Sequence, residues 1–125
     1  MHRRFKLLIA RAAAISKERR ISKHSIVAGV GSALLTDKGN IYTGVNIDCC
    51  CGIGFCAEHS AIASMVTSGE DQIVAIVAVT NDGRVIPPCG RCREMLFQVN
   101  RDNRKTKVIV SEDKAVLLSE LLRYR

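Results

Sequence analysis

The chain has no tryptophan, three phenylalanines and two tyrosines. That is too few for the aromatic platform on which an RRM-type domain stacks bases. Two prolines exclude a proline-rich linker protein. No apolar run reaches the roughly 18 residues that a membrane-spanning helix needs. Acidic residues are also scarce, 12 against 19 Lys and Arg, for a net charge of +7. Residues 7–14 are apolar, but Arg11 interrupts them, so a secretory signal is not expected. The expected compartment is cytoplasmic. The six cysteines are then expected as reduced thiols or metal ligands, not as a disulfide set.

What is present suffices for one ordinary domain over residues 1–125. The chain is 47% hydrophobic and 25% charged, and a domain of this length buries about two-thirds of its unfolded surface. The positive charge is concentrated early: Arg3, Arg4, Lys6, Arg11, Lys17, Arg19, Arg20 and Lys23 all precede residue 24. Such an arm can face a polyanion. Phe5, Leu8, Ile9, Ala12, Ala13 and Ile15 recur at helical spacing opposite it, so it reads as the solvated face of a first helix.

That helix is expected over residues 3–20, with a break at 22–25. A hairpin pattern follows, with strands at 30–35 and 41–47 around the Asp37-Lys38-Gly39-Asn40 turn. Residues 48–56 read as a loop and 57–68 as a helix ended by Gly69. Residues 73–79 form a continuous apolar run typical of a strand buried on both faces. Helix 90–100, strand 107–110 and a final helix 115–124 complete the pattern. This order indicates an α/β domain with helices on both faces of a mixed sheet of about five strands.

The cysteines lie at 49, 50, 51, 56, 89 and 92. Cys56-Ala-Glu58 and the C-x-x-C of Cys89 and Cys92 both fall at expected helix starts, where free N–H groups favour thiolate. Two such starts can converge on one Zn²⁺. Three thiolates then leave the fourth tetrahedral position open, as in catalytic zinc sites. Glu58, two positions after Cys56, supplies a carboxylate able to move a proton beside such a metal. Together these residues make the C-A-E … P-C-x-x-C form of the zinc deaminase signature. Two other readings are a redox C-x-x-C pair and a closed site of Cys51, Cys56, Cys89 and Cys92. The latter would make the chain a zinc-stabilised nucleic-acid-binding module. Cys49, Cys50 and Cys51 otherwise read as small apolar fillers near the site, and His59 as a residue satisfied in the core or beside the metal ligands.

Over residues 30–122 the sequence resembles the small-chain cytidine deaminases. The resemblance rests on residues 30–35 (VGSALL), 44–48 (GVNID), Cys56-Ala-Glu58 and residues 88–93 (PCGRCR). Residues 73–96 are similar to the blasticidin S deaminase branch. The resemblance implies a three-layer α-β-α cytidine deaminase-like fold and Zn²⁺ on Cys56, Cys89 and Cys92, with Glu58 as the proton shuttle. Asn46 and Asp48 would contact the sugar, Ala57 would meet the pyrimidine edge through its backbone, and Arg93 would offset the thiolate charge. The implied reaction is hydrolytic removal of the C4 amino group from a free cytosine nucleoside or analogue, with a role in pyrimidine salvage or drug inactivation. Polynucleotide and membrane partners are not expected, and a homotetramer is. The leucines at 117, 118, 121 and 122 would serve that assembly, with Tyr124 closing a neighbour's pocket. The sequence departs from the family where the aromatic before the first strand would fall, near Ala28, and at His59, where Arg is frequent.

Overall fold

The computed structural model describes residues 2–124. Helix α1 (Arg3–Ile15) opens the fold, and strands β1 (Arg19–Ser22), β2 (Ser25–Thr36) and β3 (Ile41–Cys49) follow. A 3₁₀ turn (Cys50–Gly52) leads to helix α2 (Ala57–Thr67), then to strands β4 (Ile73–Thr80) and β5 (Val85–Ile86) and helix α3 (Gly90–Val99). A second 3₁₀ turn (Arg101–Lys105), strands β6 (Lys107–Ser111) and β7 (Lys114–Leu117), and a last 3₁₀ turn (Leu118–Leu122) complete it.

The strands form one seven-stranded sheet in the order β1-β2-β4-β6-β7, with β3 on β2 and β5 on β4. β4 and β6 are parallel, whereas the other strand pairs are antiparallel. The α3 crossover is what allows the one parallel pair. Side chains alternate across the sheet and build two cores. Leu34 and Ile76 point to the α2 and α3 side, among Ile62, Met65, Leu96 and Val108. Ala33, Leu35, Ala75, Val77 and Val79 point to the other side, beneath Leu8 and Ala12 of α1. This is the three-layer α-β-α arrangement expected from sequence.

The structure corrects the sequence expectation in three places. The first helix ends at Ile15, not near residue 20, because Ser16 turns inward and its hydroxyl donates to the Val79 carbonyl at 3.0 Å. Arg19–Ser22 then pairs with β2 as an edge strand. The expected final helix is instead β7 and a 3₁₀ turn. Residues 115–117 find the open edge of β6, with Ala115 opposite Ile109 and Val116 opposite Val108. Ladder pairing outweighs helix propensity in so short a segment. The sheet therefore has seven strands, the short β1, β5 and β7 having weak local signals.

One packing detail positions the site. α2 lies so close to β3 that a Cβ on Gly44 would come within 2.4 Å of Ser60 Cβ and 2.5 Å of the Ala61 nitrogen. The Ser60 hydroxyl donates to the Val45 carbonyl at 2.7 Å. The start of α2 is thereby held beside Asn46 and Asp48.

Candidate metal centre and active site

Cys56 and Cys89 are the N-cap residues of α2 and α3, and neither makes a side-chain capping hydrogen bond. Cys92 lies in the first turn of α3 and is fully buried. The two helix starts bring the three thiols together, with Cys56 Sγ 3.4 Å from Cys89 Sγ and Cys89 Sγ 3.5 Å from Cys92 Sγ. All three sulfurs lie within 4.8 Å of one another. Among the described residues this is the one group of three His, Cys, Asp or Glu side chains close enough to share an ion.

The electrostatics of the cluster call for a cation. Burial pushes the Cys56 thiol up, and the neighbouring Cys89 thiol adds to the rise. Cys92 is pushed far above the ordinary thiol range by burial and then by the Glu58 charge. Cys89 is opposed by burial, yet moves down, because the Cys92 and Arg91 backbone N–H groups and the two other thiols stabilise its thiolate. Three thiolates at this spacing repel one another unless a positive ion lies between them. An all-sulfur set suits zinc, and sulfurs bound tetrahedrally at about 2.3 Å would be about 3.8 Å apart. The donor set thus fits Zn²⁺ after a small adjustment.

Glu58 is 5% exposed and lines a cavity of about 360 Å³ together with Cys56 and Cys89. Burial raises its carboxyl above the usual range, although its own backbone N–H and the Cys92 thiol partly oppose the shift. Ala57, Asn46 and Asp48 line the same cavity. The Asn46 carbonyl oxygen accepts from the Val30 N–H at 2.9 Å, and its amide donates to Asp48 Oδ2 at 3.2 Å. The first of these bonds satisfies backbone freed by the irregularity between Val27 and Gly31 in the β2–β3 ladder. Ala28 sits within that irregularity, buried and at φ 67°.

Arg93 lies elsewhere than on the thiols: its Nε donates to the Pro88 carbonyl at 2.9 Å and so fixes the peptide before Cys89. His59 meets one of the three clustered sulfurs, with Nδ1 3.3 Å from Cys92 Sγ. Burial, and then the charge of Arg91, lower the His59 pKa. Cys50 and Cys51 are exposed, so they are not apolar fillers. Cys49 lines the cavity and meets Ser25 Oγ at 3.2 Å. Sequence reasoning missed Phe55 and Arg91 as cavity residues. Each is a chain neighbour of a cysteine or lies between two, and that adjacency was the available signal.

The zinc-binding region of the cytidine and deoxycytidylate deaminases matches residues 6–111. The chain belongs to that family. A cytidine deaminase from Mycobacterium tuberculosis is 36% identical over 70 residues, 55% of this chain and 53% of that one. A blasticidin-S deaminase from Bacillus cereus is 38% identical over 76 residues, 54% of each chain. The chain thus spans about half the length of these curated relatives. The crystal structure of a cytidine deaminase from Mycobacterium leprae superposes with a TM-score of 0.78 at 27% identity, covering 94% of this chain and 96% of that one. The deaminase family is a zinc-binding one, and the three-thiol set agrees with that. Cys51 stands outside that set among the described residues, so the closed four-thiol reading has no support there.

Proposed function

We propose that the chain is a zinc-dependent hydrolytic deaminase that converts a free cytosine nucleoside or analogue to the uracil derivative and ammonia. The observation that carries this reading is the buried carboxyl of Glu58 in the same cavity as the Cys56, Cys89 and Cys92 thiols. Zinc held by these three sulfurs supplies Lewis-acid activation of water at neutral pH.

Glu58 is the proton carrier. A carboxyl raised by burial accepts a proton and gives it back with little cost, the condition for general acid–base work near neutrality. As the oxygen of water adds to C4, Glu58 would take one of its protons to the ring nitrogen N3, where it stays, and then the second to the amine, which leaves as ammonia when the C4–N bond breaks and the C4 carbonyl forms. The Ala57 backbone at the α2 start meets the pyrimidine edge. Asn46 and Asp48, tied to each other on β3, contact the sugar. Arg93 acts by holding the Pro88 peptide, and so the Cys89 position, in place. The cavity volume suits a nucleoside-sized ligand, at the lower end of the usual range for small-molecule pockets.

One domain over residues 1–125 carries this activity in a cytoplasmic homotetramer serving pyrimidine salvage or drug inactivation. No helix among the described residues is long and apolar enough to cross a membrane. Exposed Ile53, at 78%, and Val66, at 49%, support an assembly. The leucines do not: Leu118 is buried, and Leu121 and Leu122 pack against the chain's own core.

The test is ammonia release from cytidine, deoxycytidine, cytosine and blasticidin S, side by side. Release from at least one nucleoside supports the reading, and the order of rates assigns the substrate. No release from any of them by zinc-loaded protein overturns it.

A further inference from the structure

We propose that Phe55 is the surface on which the planar ring of the substrate stacks, making it a specificity-determining residue. The proposal rests on the deaminase reading above. Of the five aromatic residues in the chain, Phe55 is the one that lines the cavity among the described residues. The residue is 39% exposed, so apolar surface is left uncovered at the cavity that Cys56 and Glu58 also line.

The ring is built to stay where it is. The Phe55 N–H donates to the Ile47 carbonyl at 2.9 Å, and the Ile47 N–H donates to the Phe55 carbonyl at 3.0 Å. This reciprocal pair ties residue 55 to β3. Gly54 makes the tie possible, since a Cβ there would lie 1.8 Å from the Ile47 carbonyl oxygen. The His59 imidazole lies nearly parallel to the ring, at 15° and 6.3 Å between centroids. His59 is itself held at Cys92.

A phenyl ring fixed at its backbone and flanked by an imidazole presents a rigid π-face. Every nucleobase has a complementary face, whatever its hydrogen-bonding edge, and base–aromatic stacks contribute measurably to affinity. Stacking here would orient the ring without selecting among sugars. It favours planar pyrimidines over ring-saturated ones and tolerates substituents at the sugar position. Asn46 and Asp48 would then discriminate the sugar separately.

The experiment is steady-state deamination of cytidine by the unsubstituted protein, Phe55→Leu and Phe55→Tyr, with zinc content and thermal midpoint of each. Leu should raise KM roughly 5- to 100-fold, the span that loss of one stack implies, with the loss in KM and not in kcat. Tyr should restore KM to within about threefold, as tolerance for either aromatic at a stack allows. A Leu variant whose KM stays within twofold overturns the proposal. So does a Tyr variant as impaired as Leu with the same loss of zinc, which would make the ring a packing element for His59. An unsubstituted protein without turnover overturns the deaminase reading itself, and this proposal with it. If the Leu variant fails to fold, competitive inhibition of the unsubstituted enzyme decides. Uridine should then inhibit at least about fivefold more strongly than 5,6-dihydrouridine, and equal inhibition contradicts stacking.

Discussion

Glu58 and Asn46 illustrate two ways in which a single side chain acts. In the proposed reaction Glu58 has a chemical task, so Glu58→Gln is expected to keep zinc and fold while losing at least about 100-fold in kcat, the low end for positioned proton transfer. Kinetics with metal analysis on the same sample checks this. Asn46 has a structural bond that is observed and a sugar contact that is proposed. Its oxygen satisfies the Val30 N–H, so Asn46→Ala should cost about 1 kcal/mol of stability. It should also weaken cytidine binding more than cytosine binding. Denaturant unfolding and KM for both substrates separate the two effects, and an equal KM change for both would remove Asn46 from the sugar. Cys51→Ser should leave the zinc content unchanged, because Cys51 is exposed and outside the thiol cluster.

At the scale of elements, the position of α2 on β3 decides whether the site exists. Gly44→Ala places a methyl against Ser60 and Ala61, an overpacking expected to cost about 1–3 kcal/mol. The start of α2 should shift with it, so zinc should bind more weakly, as competition with a chelator would show. The other end of α2 is secured by Glu70, which is buried and accepts from the Tyr42 hydroxyl at 2.5 Å and the Asn40 amide at 2.8 Å. The Tyr42 hydroxyl, and then Thr36 and Asn40, hold its carboxyl below the usual range. Stability from a carboxyl depressed in the folded state is present above its unfolded pKa and is lost as pH falls through the folded one. The thermal midpoint of Glu70→Gln should therefore lie below that of the unsubstituted protein at pH 7. The gap should narrow as pH falls below about 4.5, the ordinary glutamate value. A gap that is constant with pH would show that the carboxylate is not what matters.

Over the whole molecule, legibility followed how local each signal is. The layers were readable because β2 and β4 carry long apolar runs and α2 and α3 begin at cysteines beside glycine or alanine. The thiol cluster was readable because both motifs sit at helix starts, whose geometry short-range sequence determines, and Glu58 follows the first of them into the same cavity. The strand at 19–22 and the one at 114–117 were not readable, because each exists only through a partner edge brought by the fold. The bond from Arg93 to the Pro88 carbonyl was not readable for a similar reason, since charge alone does not reveal that the guanidinium reaches back along the chain. The proposed homotetramer belongs to the same scale. Light scattering should give about four times the 13.7 kDa chain mass, and a fully active monomer would remove the shared-pocket idea. The most direct measurement of the central claim is ammonia released from cytidine per bound zinc, by the unsubstituted protein and by Glu58→Gln. The expected result is continuous turnover by the first and near absence of it in the second at equal zinc. Equal turnover by both, or zinc-loaded protein that releases no ammonia, would contradict the claim.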